Sequence, residues 1–260
     1  MTIMSDLHPM AAEGFSRGAD SYGHGRPEFP PAALDWLRDD LGLHAGSAAV
    51  DLGAGTGKFT RLLMKTGARV VAIEPVAAMR NRLAANLPEV TALRGQAQHM
   101  PLPDASADAV ICAQAFHWFA SAASLAEIRR VLKPEGVLGL IWNVRDETVD
   151  WVAALTRIMA PYEGDAPRYD HGEWRQVFPA VGFDALRERS FAHEHVGPPE
   201  QVIVERVASV SFIAALDAST RAQVLGEVRA LIESTPSLAG RSPVAMPYVT
   251  RAYWCRCDPA

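Results

Sequence analysis

Cysteine is scarce: three residues in a chain of 260, an odd number that cannot build a disulfide framework and that suits a reducing compartment. Cys255 and Cys257 would share one face of a strand, but no further Cys or His cluster accompanies them, so a zinc site is not expected. Basic charge is also short. The 25 Lys and Arg against 30 Asp and Glu leave a net charge of −5, and no stretch gathers the cations that neutralising phosphates requires. Nucleic acid is therefore not an expected partner. Long apolar runs are missing as well: the longest uncharged stretch, 109–126, carries Gln114, His117, Ser121 and Ser124 and makes a poor membrane span. Met1 to His8 has Asp6 where a secretory leader needs a basic end, and no apolar run follows. What is present, 49% apolar and 21% charged residues, describes a globular chain expected in the cytoplasm, long enough for one large domain or two small ones.

The chain opens with a polar, Gly-rich arm over 1–30 that closes in Arg26-Pro27-Glu28-Phe29-Pro30-Pro31. Pro31 and the apolar spacing of 32–37 start a helix. From Ala48 onward strands and helices alternate, which is the pattern of a parallel sheet covered on both faces. Strands are expected over 48–52, 69–74, 90–94, 107–113 and 136–143. Helices are expected through Phe59, Leu62 and Leu63, over 77–87, and around 125–132. Beyond Asn143 the pattern changes to helices over 151–159 and 173–181, a strand over 186–196, helical stretches over 200–216 and 220–233, and a closing strand over 248–257. The expectation is an α/β, Rossmann-like, mostly parallel seven-stranded sheet with a helical cap inserted between its last two strands. The segments would be an N-terminal arm with the first helix (1–47), a ligand-binding core (48–145), and the last strands with the cap (146–260).

The first strand runs into Gly53-Ala54-Gly55-Thr56-Gly57, which brings backbone without Cβ to the carboxyl end of the strand, the usual ligand crevice of an open α/β sheet. A dinucleotide fingerprint would place its third Gly one residue later, where Lys58 stands, and a phosphate-binding P-loop needs a Gly-Lys-Ser/Thr that is absent. Glu74 ends the second strand about 17 residues past Gly57, where a carboxylate can accept hydrogen bonds from ribose hydroxyls. After the fourth strand comes Phe116-His117-Trp118-Phe119. Three aromatics around one His cannot all face inward, so Phe116, His117 and Trp118 are candidate substrate contacts. His117 either takes a proton as a general base or hydrogen-bonds the substrate.

These residues carry a resemblance. Val50 through Gly57, then Glu74-Pro75, then Gly95-Gln96-Ala97, then Leu132-Lys133-Pro134-Glu135-Gly136, resemble the class I S-adenosylmethionine-dependent methyltransferases, in the broad group of the quinone-biosynthesis and trans-aconitate enzymes. The likeness is strong over about 48–143 and extends to Phe15, Tyr22 and Arg26-Pro27 before it and to 114–119 within it. It departs at Glu135, where the family usually has Gly. The resemblance implies that S-adenosylmethionine is the cofactor, with Asp51, Gly53 and Gly55 facing its methionine part and Ala54 and Gly57 shaping the turn. It places Glu74 on the ribose, Pro75 and Met79 against the adenine, Gln96 and Ala97 at the adenine edge, and Ala113 and Gln114 beneath the methionine amine and the sulfonium. Tyr22 and Arg26 would close over the site, Arg26 toward a carboxylate of the cofactor or of an acidic acceptor. The motif of amino-methylating enzymes, Asn or Asp before Pro-Pro-Tyr/Phe, is replaced by Gln114-Ala115-Phe116, and no Pro-Cys nucleophile follows the fourth strand. A small-molecule acceptor, carboxylated or aromatic, is expected for a monomer or homodimer. The alternatives are a binding protein without catalysis and, disfavoured by the glycine spacing, a nicotinamide-dependent oxidoreductase.

Overall fold

The computed structural model describes residues 25–165 and 167–258, so Tyr22, together with Phe15, lies outside the described residues. The chain divides into two compact units: a sheet unit of Glu28–Val144, Pro167–His193 and Tyr248–Ala260, and a helical unit of Met1–Pro27, Arg145–Ala166 and Glu194–Pro247.

Helix α1 (Pro31–Asp35) opens the sheet unit with Pro at its first position and continues as a wider turn over Trp36–Asp40. Then come β1 (Ala48–Leu52), α2 (Lys58–Met64), β2 (Arg69–Ile73), α3 (Ala77–Asn86), β3 (Thr91–Leu93) and β4 (Ala107–Ala113). A single 3-10 turn (Phe116–Trp118), α4 (Ala122–Val131) and β5 (Leu132–Arg145) follow. Strand β6 (Arg187–Gly197) and β7 (Val244–Arg256) complete a seven-stranded sheet of order β3-β2-β1-β4-β5-β7-β6. The first five strands are parallel. β7 runs against β5: Cys257 N–H donates to Gly136 at one end, Asp146 N–H to Pro247 at the other.

Successive residues of the central strands are buried on opposite faces of the sheet. Val50, Leu52, Val110, Cys112, Leu138 and Leu140 pack on one face with α4 residues Leu125 and Ile128. Ala49, Ala109, Ile111, Val137 and Ile141 pack on the other with Trp36, Leu37, Phe59 and Leu63. A strand covered on both faces is apolar at nearly every position, which is why these strands read as near-continuous Val, Ile, Leu and Ala, interrupted by Asp51 in β1 and Asp108 in β4. The strand order reverses between β1 and β4, and the crevice at that switch point is where open α/β sheets take ligands.

The helical unit contains α5 (Asp150–Met159), a wide turn (Glu200–Glu205), two short helices α6 (Arg206–Ala208) and α7 (Ser211–Ala214), and α8 (Ala218–Ser234). α5 and the Glu200–Glu205 turn pack on α8. Asp217 caps α8 by accepting from the N–H groups of Ser219 and Thr220, both at 3.0 Å.

Two elements differ from the sequence expectation. The helix expected over 173–181 is only a 3-10 turn, Glu173–Val177, because Pro179 disfavours helical backbone at Phe178, which is extended at φ −109°, ψ 144°. The helical stretch expected over 200–216 is helical over 200–208 and again over Ser211–Ala214, and it is interrupted at Ser209 and Val210, where Val210 is extended at φ −70°, ψ 132°. The segments also regroup. The first helix belongs to the sheet unit through Trp36 and Leu37, and the helical unit draws on 145–166 as well as on the stretch between the last two strands.

Candidate functional site

The glycine turn leaves β1 with left-handed backbone at Gly53, Gly55 and Gly57 (φ +74°, +57° and +86°). At Gly53 space is also decisive, because a Cβ there would stand 2.8 Å from that of Ala115. The turn is fastened to β2: the N–H groups of Gly53 and Ala54 both donate to the Ile73 carbonyl, at 2.9 and 3.2 Å.

Two acids flank this turn. Asp51 is fully buried; its Oδ2 accepts from Thr60 Oγ1 at 2.6 Å, and its Oδ1 has no hydrogen-bond partner among the described residues. Burial pushes the carboxyl up to about 7, against the Thr60 bond, and the nearby charge of Glu74 adds to the rise. Glu74 is 6% exposed. Its two oxygens accept from the N–H groups of Gly55 and Val76, both at 2.8 Å. Burial raises its carboxyl above the usual range, opposed by those two bonds and by the charge of Arg80. Each Glu74 oxygen keeps a second lone pair, so the residue can clamp the glycine turn and still accept from a ligand hydroxyl. Met79 is buried beneath the turn, its sulfur 3.6 Å from the place a Gly55 Cβ would take, while Pro75 is half-buried at the head of the loop.

The third wall follows β4. Ala113 and Gln114 are partly exposed; Gln114 takes a left-handed φ of +58° and its Nε2 donates to the Asn143 carbonyl at 3.2 Å. Asn143 is held in turn, donating to the Glu28 carbonyl at 3.0 Å and accepting from Thr250 Oγ1 at 2.6 Å. Gln96 and Ala97 lie in the turn after β3, where Gln96 is half-buried and Ala97 packs into the core.

Of the aromatic run, His117 and Trp118 are partly exposed. Phe116 is not a pocket residue: it is 0% exposed and packs in the core, its ring 5.6 Å from Phe119 and 6.0 Å from Phe178. The residue that sequence reading passed over is Trp142, whose indole Nε1 donates to His117 Nδ1 at 3.1 Å. Its signal was a Trp directly after the aliphatic run 137–141, since a buried indole N–H needs an acceptor. Arg26 belongs to the helical unit, where its Nη2 donates to the Ser209 carbonyl at 3.0 Å. No group of three His, Cys, Asp or Glu that could hold a metal occurs among the described residues.

The sheet unit thus brings together two buried acids, a Cβ-free turn and a partly exposed His and Trp. An unpaired buried carboxylate oxygen calls for a cation or an N–H donor. Backbone without Cβ admits a flat or extended ligand close to the sheet.

Residues 50–140 match the family model described as a methyltransferase domain. An uncharacterized methyltransferase of Mycobacterium tuberculosis is 39% identical over 236 residues, covering 91% of this chain and 92% of that protein. An uncharacterized methyltransferase-like protein of Schizosaccharomyces pombe is 35% identical over 247 residues, covering 95% and 96%. Among solved structures, one from Anaeromyxobacter dehalogenans, assigned as a type II methyltransferase, superposes with a TM-score of 0.65 at 27% identity over 90% of this chain and 97% of that one. With likeness to relatives running nearly end to end and a seven-stranded sheet beneath it, the chain belongs to the class I methyltransferases, the S-adenosylmethionine-dependent family.

Proposed function

We propose that the protein binds S-adenosylmethionine at the β1–β2–β4 crevice and transfers its methyl group to a small-molecule acceptor. The observation that carries this reading is the buried Oδ1 of Asp51, which has no hydrogen-bond partner among the described residues, beside a glycine turn pinned by Glu74. A dry carboxylate oxygen without a partner is costly, and a ligand ammonium at that place offsets the cost. Asp51 would hold the cofactor's amine directly or through water, Gly53 and Gly55 would let its methionine part lie against the backbone, and Glu74 would accept from ribose hydroxyls. Met79 and Pro75 would flank the adenine, Gln96 and Ala97 would read its edge, and Ala113 and Gln114 would lie beneath the sulfonium. When bound, the cofactor supplies a methyl group already activated by a positively charged leaving group. The protein's part is then to align the acceptor, exclude water and hold the two partners close. Phe116 supports this wall from behind, while His117 and Trp118 are the side chains that meet the acceptor.

The acidic net charge and the Gln114-Ala115-Phe116 sequence support a metabolite in place of nucleic acid. No helix among the described residues is long and apolar enough to cross a membrane, which is compatible with the cytoplasmic location proposed for it. The expected assembly is a monomer or homodimer.

The test is thermal melting with S-adenosylhomocysteine, NAD and NADP, followed by a panel of carboxylated and aromatic metabolites with methyl-labelled S-adenosylmethionine. Stabilisation by S-adenosylhomocysteine alone, with label transferred to a panel member, is the expected result. Stabilisation by NAD or NADP overturns the cofactor assignment, and tight cofactor binding with no transfer across the panel overturns the catalytic one.

A further inference from the structure

We propose that Trp142 is a positioning residue that fixes His117 with its proton on Nε2, so that His117 serves the acceptor as a hydrogen-bond donor and not as a general base. An indole Nε1–H can only donate. The atom it meets, His117 Nδ1 at 3.1 Å, must therefore be an acceptor, and the neutral imidazole then carries its hydrogen on Nε2. In that tautomer Nε2 has no lone pair with which to take a proton, and the Nδ1 lone pair is occupied. Swapping the tautomer would set two N–H groups against each other across the same 3.1 Å, leaving both donors unsatisfied.

The indole cannot turn away to allow the swap. Trp142 is 1% exposed in β5, and its ring is packed by Trp174 at 4.7 Å, Tyr169 at 5.1 Å and Tyr253 at 6.0 Å. Those neighbours are themselves tied: Trp174 Nε1 donates to the Tyr169 carbonyl at 3.2 Å, the Tyr169 and Tyr253 hydroxyls share a hydrogen bond of 2.7 Å, and Tyr253 donates to Glu188 at 3.1 Å. On the other side, His117 stands in a one-turn 3-10 helix with the Trp118 ring 5.3 Å away. A rigid aromatic block thus sets the orientation of one half-exposed imidazole.

The consequence for the chemistry rests on the methyltransferase reading. If the carbon–sulfur bond breaks with its electron pair going to sulfur while the acceptor's lone pair forms the new bond, the charge balances with no proton transfer. His117 can align such an acceptor by donating to it, and it accepts nothing from it. The acceptor class is one whose nucleophilic atom carries no proton at neutral pH.

The tautomer is read directly by long-range proton–nitrogen correlation on protein labelled with nitrogen-15 in histidine, with the His117 signals assigned by their loss in His117→Gln. The expected spectrum shows Nδ1 unprotonated and Nε2 protonated, and Trp142→Phe, which keeps an aromatic ring and removes the N–H, converts it to a mixture. A protonated Nδ1 in the wild-type protein, or the same pattern in Trp142→Phe, overturns the proposal. A second readout uses His117→Gln in turnover of the acceptor found by the panel, because its amide N–H2 stands in for Nε2–H and has no basic nitrogen. Turnover within about tenfold of wild type is expected, whereas a loss of about 10²-fold or more, the size of a missing base, would contradict the donor role. Absence of transfer by the wild-type protein overturns the methyltransferase reading and leaves the tautomer result standing, so the two failures are separable.

Discussion

Asp51 is a residue at which the ligand-free fold is disadvantaged. Its carboxyl, ordinarily at 3.8 and here near 7, binds its proton more tightly in the folded chain than in the unfolded one. Stability of the ligand-free protein therefore falls as pH rises from about 4 to about 7 and is flat above that, as far as this group contributes. Asp51→Asn removes the charge, keeps an oxygen for Thr60, and is expected to raise the melting temperature at pH 8. The gain is roughly 1–3 kcal/mol, a few degrees for a chain of this size, and it vanishes at pH 4. Melting curves at the two pH values check this; an unchanged or lower midpoint at pH 8 would contradict it. The same variant should bind S-adenosylhomocysteine at least tenfold more weakly. Glu74→Ala is expected to lose a similar factor, because it frees the Gly55 N–H as well as removing an acceptor; titration calorimetry at wild-type affinity would sink the ribose assignment. Both acids were legible as polar residues ending apolar strands. The clamp that Glu74 makes on Gly55 and the Trp142–His117 bond were not, since both depend on partners 19 and 25 positions away that no local pattern marks.

At the scale of elements, the glycine turn and the 3-10 turn after β4 act as one surface, joined where Gly53 meets Ala115. Gly53→Ala is strained twice, by its φ of +74° and by the 2.8 Å approach, and is expected to cost more than about 1 kcal/mol in stability. Denaturant unfolding measures it, and an additional Ala115→Gly should recover only the contact portion. A second element-scale prediction concerns Glu135. It takes a φ of +62° in the irregular start of β5, where the pairing with β4 slips between Ala107 and Ala109. A side chain in that conformation is strained by roughly 1–2 kcal/mol, and Gly relieves this at an entropic cost of about 0.5–1 kcal/mol. Glu135→Gly is thus expected to be neutral to mildly stabilising, and a marked drop in melting temperature would show that the turn does something other than reverse the chain. Strand–helix alternation was readable because each of β1 to β4 is a short, mostly apolar run between turn residues. The breaks after Val177 and around Ser209 were misread because Pro179 and the extended backbone at Val210 interrupt an otherwise helical spacing.

At the scale of the whole molecule, the sequence carries the order of elements better than their grouping. The alternation from Ala48 to Asn143 translates directly into the parallel half of the sheet. The division into two units does not follow the chain, because the helical unit is assembled from three separated segments. Nothing in periodicity joins 145–166 to 194–247; the contact between α5 and α8 does. The central claim is that the crevice at the reversal of strand order, floored by the Gly53–Gly57 turn and flanked by Asp51 and Glu74, is a cofactor site. Titration calorimetry of the wild-type protein with S-adenosylhomocysteine tests it most directly. One binding site per chain, with affinity falling at least tenfold in both Asp51→Asn and Glu74→Ala, is the predicted result; absence of binding, or binding unaffected by either substitution, would contradict the account.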